Sequence, residues 1–124
     1  MQLGAFSVSL TVKDIGRSRQ FYQKLGFTVV GGDQDQKWLI LRNGTTTIGL
    51  FEGMFDRNML TFNPGWSPDA ERVDRFKDVR SIRRELEALG VEVADGNTDE
   101  RAEGPAHIVI RDPDGNPILI DQHV

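Results

Sequence analysis

The sequence predicts an α+β protein built from two tandem β-α-β-β-β modules, and three observations carry that expectation. A segment with helical periodicity, "KDIGRSRQFYQKLGFTVV" (13–30), is answered by "KDVRSIRRELEALGVEVA" (77–94) at a constant offset of 64 residues. A hairpin pattern, "WLILRNGTTTIGLF" (38–51), is answered by "HIVIRDPDGNPILID" (107–121), with Arg42 matching Arg111 and Gly49 matching Leu119. The remaining apolar segments are short, with period-two alternation or β-branched runs, as strands require.

Module one spans about 6–54. Its first strand is "FSVSLTV" (6–12). Asp14 then opens a helix, because its carboxylate can accept from free N–H groups of the first turn. Ile15, Tyr22 and Leu25 supply the apolar stripe, and Gly26 stops the helix by taking the left-handed conformation without a Cβ clash. A short strand follows, then strands at 37–42 and 46–51 joined at "NG". Module two spans about 57–123. It repeats the plan with a strand at 59–62, and a helix capped by Asp78, striped by Val79, Ile82, Leu86 and Leu89 and stopped by Gly90. A short strand after Gly90 and strands at 106–111 and 117–122 complete it. An insertion, "NPGWSPDAERVDRF" (63–76), separates its first strand from its helix, and a polar loop, "DGNTDERAEG" (95–104), is expected to be mobile. "NPGW" reads as turn chemistry, with Trp66 available to cap the cavity or a dimer contact.

Composition narrows the chemistry. A chain of 124 residues accommodates one domain with a hydrophobic core. Cysteine is absent, which removes disulfides, thiolate nucleophiles and thiolate metal sites. A net charge of −4 without a Lys/Arg cluster argues against a nucleic-acid partner. No apolar run is long enough to cross a bilayer, and "MQLGAFSVSLTVKD" lacks the basic and apolar regions of a signal peptide, so no membrane partner and a cytoplasmic location are expected.

The paired modules, "LTVKDIGRSRQFYQKLGF" near the start and "DPDGNP" near the end, resemble the vicinal oxygen chelate superfamily, which includes glyoxalase I, extradiol dioxygenases and fosfomycin- and bleomycin-resistance proteins. The resemblance implies a mixed sheet curled around a cavity, often completed by homodimerisation. It also implies, in metal-dependent members, His or Gln ligands on the first strand of each module and Glu on the last. The matching positions here are Ser7, Gly49, Met59 and Leu119. None can replace the imidazoles and carboxylates a divalent cation needs. A one-residue slip does not help, because Phe6/Val8, Ile48/Leu50, Asn58/Leu60 and Ile118/Ile120 flank them. No metal or other cofactor is therefore expected.

Strand alternation nominates the residues that line the cavity in place of ligands. Ser7, Ser9, Trp38, Ile40, Phe51, Met59, Thr61, His107, Val109, Leu119 and Asp121 share one face, while Val8, Leu10, Ile118 and Ile120 face the helices. Trp38 could stack on a flat ligand or simply close the core. If Val109 faces Leu119, His107 stands across from Asp121, an arrangement suited to acid–base work or to an ordinary structural hydrogen bond. His123, on the face of Asp121, could extend the pair to a two-His, one-carboxylate site. The Asp residues of "DPDG" read as turn formers, and Glu52 points away from Phe51 into solvent. Two functions remain open. One is a bleomycin-resistance-like protein that binds a small organic ligand without metal. The alternative is an enzyme of lyase, dioxygenase or thiol transferase type, using relocated ligands or a metal-free His107/Asp121 pair.

Overall fold

A computed structural model describes residues 1–69, 71–98 and 103–124, so residues 99–102 of the polar loop and Ala70 of the insertion lie outside the described residues. The fold is α+β, as expected. The chain forms two compact units, residues 7–59 and residues 1–6 together with 60–124. The elements run β1 (Ala5–Val12), α1 (Ile15–Lys24), β2 (Thr28–Asp33), β3 (Trp38–Asn43), β4 (Thr46–Glu52), β5 (Met59–Asn63), α2 (Val79–Ala88), β6 (Asp95–Gly96), β7 (Ala106–Arg111) and β8 (Pro117–Gln122). Among the described residues, no helix is long and apolar enough to cross a membrane.

In the first module the strand order is β2-β3-β4-β1, with β1 and β4 parallel and the rest antiparallel. In the second it is β5-β8-β7-β6, again with the first and last long strands parallel. The helices form where caps bracket the apolar stripes. Asp14 accepts from the Arg17 N–H at 3.1 Å and Asp78 from the Arg80 N–H at 2.8 Å. Gly26 and Gly90 follow the C-caps with φ of 96° and 85°. Leu25 and Leu89 depart from the expected stripe. They are the C-cap residues, where the chain turns off the helix axis, and they are 56% and 74% exposed.

Each module has its own core. Ile15 packs with Leu39, Leu41, Ile48 and Leu50, joined by Leu10, Val12 and Tyr22. Val79 and Ile82 pack with Ala106, Ile108 and Ile120, joined by Leu86 and Ile118. Removing these aliphatic side chains from water supplies the main favourable term for each helix–sheet pair.

The last strand of each module also grips the start of its helix. The Glu52 carboxylate accepts from the Ile15 N–H at 3.0 Å, and the Gln122 amide oxygen accepts from the Val79 N–H at 2.7 Å. Ile15 and Val79 are repeat partners, and so are Glu52 and Gln122. Glu52 is therefore half-buried at a helix terminus and not solvated, as alternation alone suggested. Its ion pair with Lys37 at 3.2 Å balances the charge. The Ile15 N–H and then the Lys37 ammonium hold its carboxyl below the ordinary value. Lys37 adopts a left-handed backbone (φ 71°) that closes a single 3-10 turn over Gln34–Gln36, so β3 begins one residue later than expected. In the second module the neutral amide serves because the cap carboxylate is close. Gln122, 1% exposed, donates from Nε2 to Asp78 Oδ2 at 3.0 Å and to the Gly104 carbonyl at 3.0 Å. Burial pushes the Asp78 carboxyl up, but the Gln122 amide, the Arg80 N–H and the Arg80 guanidinium outweigh it and leave the pKa lowered.

Two further segments differ from expectation. The strand expected just after Gly90 is displaced to Asp95–Gly96, which pairs with Val109 and Ile108. That places the start of the polar loop on the sheet edge, where Asn97 exchanges hydrogen bonds with the His107 backbone. In the 43–46 turn, Asn43 remains paired with Thr46 and Gly44 (φ 59°) takes the first turn position. The Asp112–Gly115 turn is organised by Asp112, whose carboxylate accepts from Asp114, Asn116 N–H and the Asn116 amide at 2.8–2.9 Å.

The helix grip generates a stability prediction. Gln122→Leu keeps the volume but leaves the Val79 N–H without its acceptor and takes from Asp78 one of its donors, the others coming from Arg80. Urea unfolding at neutral pH should show a loss of about 1–3 kcal/mol; an unchanged midpoint would mean that the helix start is held by packing alone.

Candidate functional site

In β4 and β8, residues 48, 50, 52 and 118, 120, 122 face the helices, so residues 49, 51, 119 and 121 must face the other way. The register places their neighbours. In module one, Ser9 lies beside Gly49 and Gly49 beside Ile40, while Thr11 lies beside Phe51 and Phe51 beside Trp38. In module two, Thr61 lies beside Leu119 and Leu119 beside Val109, while Asp121 lies opposite His107. The two sets are equivalent by repeat, position for position. Trp38 and Phe51 occupy in the first module the places of His107 and Asp121 in the second.

Module one presents an aromatic surface. A Cβ built on Gly49 would stand 2.5 Å from Phe51 Cε2 and 3.4 Å from Ile40 Cδ1. The Phe51 ring therefore lies across the glycine and fills the space a longer side chain would need. Phe55 extends this surface, with ring centroids 5.2 Å apart and planes tilted by 50°. The segment carrying Phe55 is fastened to β1, since the Thr11 hydroxyl donates to the Phe55 carbonyl at 2.9 Å and the Thr11 N–H to Asn58 Oδ1 at 2.9 Å. Ser9 is buried at 3% exposure, and Ser7, Trp38 and Phe51 are half-buried. No periodicity in "EGMFDRN" assigns Phe55 a face, so the sequence alone does not place it on this surface.

Module two presents a polar pair. His107 and Asp121 stand directly opposite, but the Asp121 carboxylate turns along its own strand to His123, with Oδ2 and Nε2 3.3 Å apart. That hydrogen bond raises the His123 pKa against the opposing effect of burial, and the Asp121 charge adds to the rise. The Asp121 carbonyl accepts from Asn63 Nδ2 at 3.0 Å, which pins the end of β8 to β5. Thr61 is buried, and Met59, His107, Val109, Leu119 and Asp121 are half-buried.

The chain matches the model of the Glyoxalase/Bleomycin resistance protein/Dioxygenase superfamily over residues 4–120. It belongs to that superfamily. Solved structures agree at the level of fold. A superfamily member from Vibrio splendidus 12B01 is 16% identical, with 94% of this chain and 97% of that one covered at a TM-score of 0.63. A protein described as an NAD-dependent benzaldehyde dehydrogenase from Legionella pneumophila is 16% identical, with 96% and 99% covered at 0.70. A Mn(II)-bound glyoxalase from Novosphingobium aromaticivorans is 19% identical, with 95% of this chain and 38% of that one covered at 0.58. No curated protein matches.

The residues of this superfamily member do not fit the divalent ion that the fold implies. Ser7 and Met59 offer a hydroxyl and a thioether, Leu119 offers no donor, and the Gly49 position is covered by the Phe51 ring. Among the described residues, no group of three or more His, Asp or Glu side chains could hold a metal, and His107, Asp121 and His123 do not form one.

The covered glycine can be tested directly. Gly49→Ala must displace the Phe51 ring, an overpacking penalty of about 1–3 kcal/mol in urea unfolding. In a Phe51→Leu background the penalty should shrink. Equal penalties in both backgrounds would show that the ring does not occupy that space.

Proposed function

We propose that this superfamily member binds a small, flat organic molecule on the Trp38–Phe51 face of module one, without a divalent ion at the four superfamily positions. The observation that carries the proposal is the Phe51 ring lying across Gly49, which turns a ligand position into aromatic surface. Trp38 beside Phe51, with Phe55 beyond it, offers stacking area, and the Thr11 hydroxyl that holds the Phe55 carbonyl fixes this surface in place. We take the protein to act as a cytoplasmic homodimer, in keeping with its cysteine-free composition and with the resemblance that suggested dimerisation.

A catalytic reading rests on other residues. The strand register that sets His107 across from Asp121 favours it, with Thr61, Val109 and Leu119 on the same face, and it requires the Asp121 carboxylate to turn from His123 to His107. The two readings separate on the fate of the bound compound. A binding protein returns it unchanged, whereas an enzyme converts it and loses that conversion in His107→Gln.

The experiment is a screen of small planar aromatic compounds by proton–nitrogen correlation NMR. A compound bound as proposed should shift the Trp38 indole and Gly49 amide signals together, and Trp38→Ala should weaken it about fivefold to tenfold. Binders that move only signals remote from this face would contradict the proposal.

A further inference from the structure

Two residues link β1 to α1 in module one, but residues 64–78 link β5 to α2 in module two. The repeat folds without this extra chain, so the fold does not explain it. Its described residues are nevertheless firmly built. Trp66 bridges Arg72, the Val73 N–H donates to the Gly65 carbonyl at 2.8 Å, and the Ser67 N–H donates to the Glu71 carbonyl at 2.8 Å. The Trp66 carbonyl accepts from the Ala5 N–H at 3.0 Å, which ties the insertion to β1. Gly65 has a φ of 93°, and a Cβ there would stand 2.5 Å from Val124 Cγ2 and 3.4 Å from the Phe76 ring. The loop is thus held in a conformation that needs glycine.

What the insertion builds is a pocket of about 370 Å³. Leu3, Pro64, Trp66, Val73 and Phe76 supply its apolar wall, and every charged residue in the lining is a cation, Arg75 and Lys77. Lys77 is shared with Glu85, whereas Arg75 has no ion-pair partner among the described residues. A cationic pocket on a chain of net charge −4 selects for a small anion. Its volume lies at the lower end of small-molecule sites. The aromatic wall suits a ring, and a guanidinium suits a planar carboxylate, which it can hold through two N–H groups.

We propose that the 63–76 insertion forms an accessory binding site for a small monocarboxylate with an aromatic body, the ring against Trp66 and Phe76 and the carboxylate on Arg75. The site is independent of the Trp38–Phe51 face. Phenylacetate serves as the probe and phenylacetamide as its uncharged counterpart, each titrated into the full chain and followed by proton–nitrogen correlation NMR. Millimolar phenylacetate should shift the Trp66 indole and Gly65 amide signals saturably. Binding should be about tenfold weaker for phenylacetamide and for Arg75→Gln, and partly retained by Arg75→Lys. Arg75 is exposed, so an otherwise unchanged Arg75→Gln spectrum confirms that the fold is intact. Absence of a saturable shift at Trp66 would overturn the proposal. Equal affinity for the amide, or undiminished binding by Arg75→Gln, would overturn it too. Shifts at the Trp38 indole in place of Trp66 would assign phenylacetate to the other face and equally defeat this site.

Discussion

The hydrogen bond from the last strand to the first N–H of the helix is the constraint on which each module depends. Glu52 makes it to Ile15 and Gln122 makes it to Val79. Because side chains alternate along a strand, fixing residues 52 and 122 on the helical side fixes residues 49, 51, 119 and 121 on the other. The grip therefore sets which residues are available to meet a ligand. It is made with different chemistry in the two modules. A carboxylate balanced by Lys37 serves the first, while the second uses an amide that can accept from Val79 and donate to Asp78 at once. A buried carboxylate at 122 would set a second negative charge beside Asp78.

The equivalent positions carry opposite chemistry in the two modules. In the first module the ring of Phe51 covers Gly49 and stands beside Trp38, an aromatic surface. The second keeps charge, with Asp121 opposite His107 and bonded to His123. One fold thus offers an aromatic face and a titratable one, which is why the scaffold alone does not assign an activity.

Much of this was legible in the sequence, where local chemistry and the repeat agreed. Asp14 and Gly26, then Asp78 and Gly90, bracket the helices because capping and left-handed turns are properties of single residues. The pairings of Leu119 with Val109 and of Asp121 with His107 followed from alternation once the turn was placed. The illegible features depend on packing across the chain. Leu25 and Leu89 satisfy the helical period yet project outward, since a C-cap no longer follows the helix axis. Glu52 looked solvated because alternation gives a direction and not the neighbour found there; matching it with Gln122 through the repeat was the available signal. The orientation of Asp121 toward His123, and of Phe51 over Gly49, depends on rotamers that no pattern in the chain records.

The four superfamily positions, Ser7, Gly49, Met59 and Leu119, offer no ligand set for a divalent ion. The most direct measurement is the metal content of protein purified without chelator, followed by thermal melts with added Mn²⁺, Ni²⁺, Zn²⁺ and Fe²⁺. An ion that binds only the native state raises the melting temperature, and the rise grows with the logarithm of its concentration above Kd. No stoichiometric ion and no concentration-dependent rise are expected. A bound equivalent of any of these ions, with a matching rise that Ser7→Ala or Met59→Leu abolishes, would contradict that expectation.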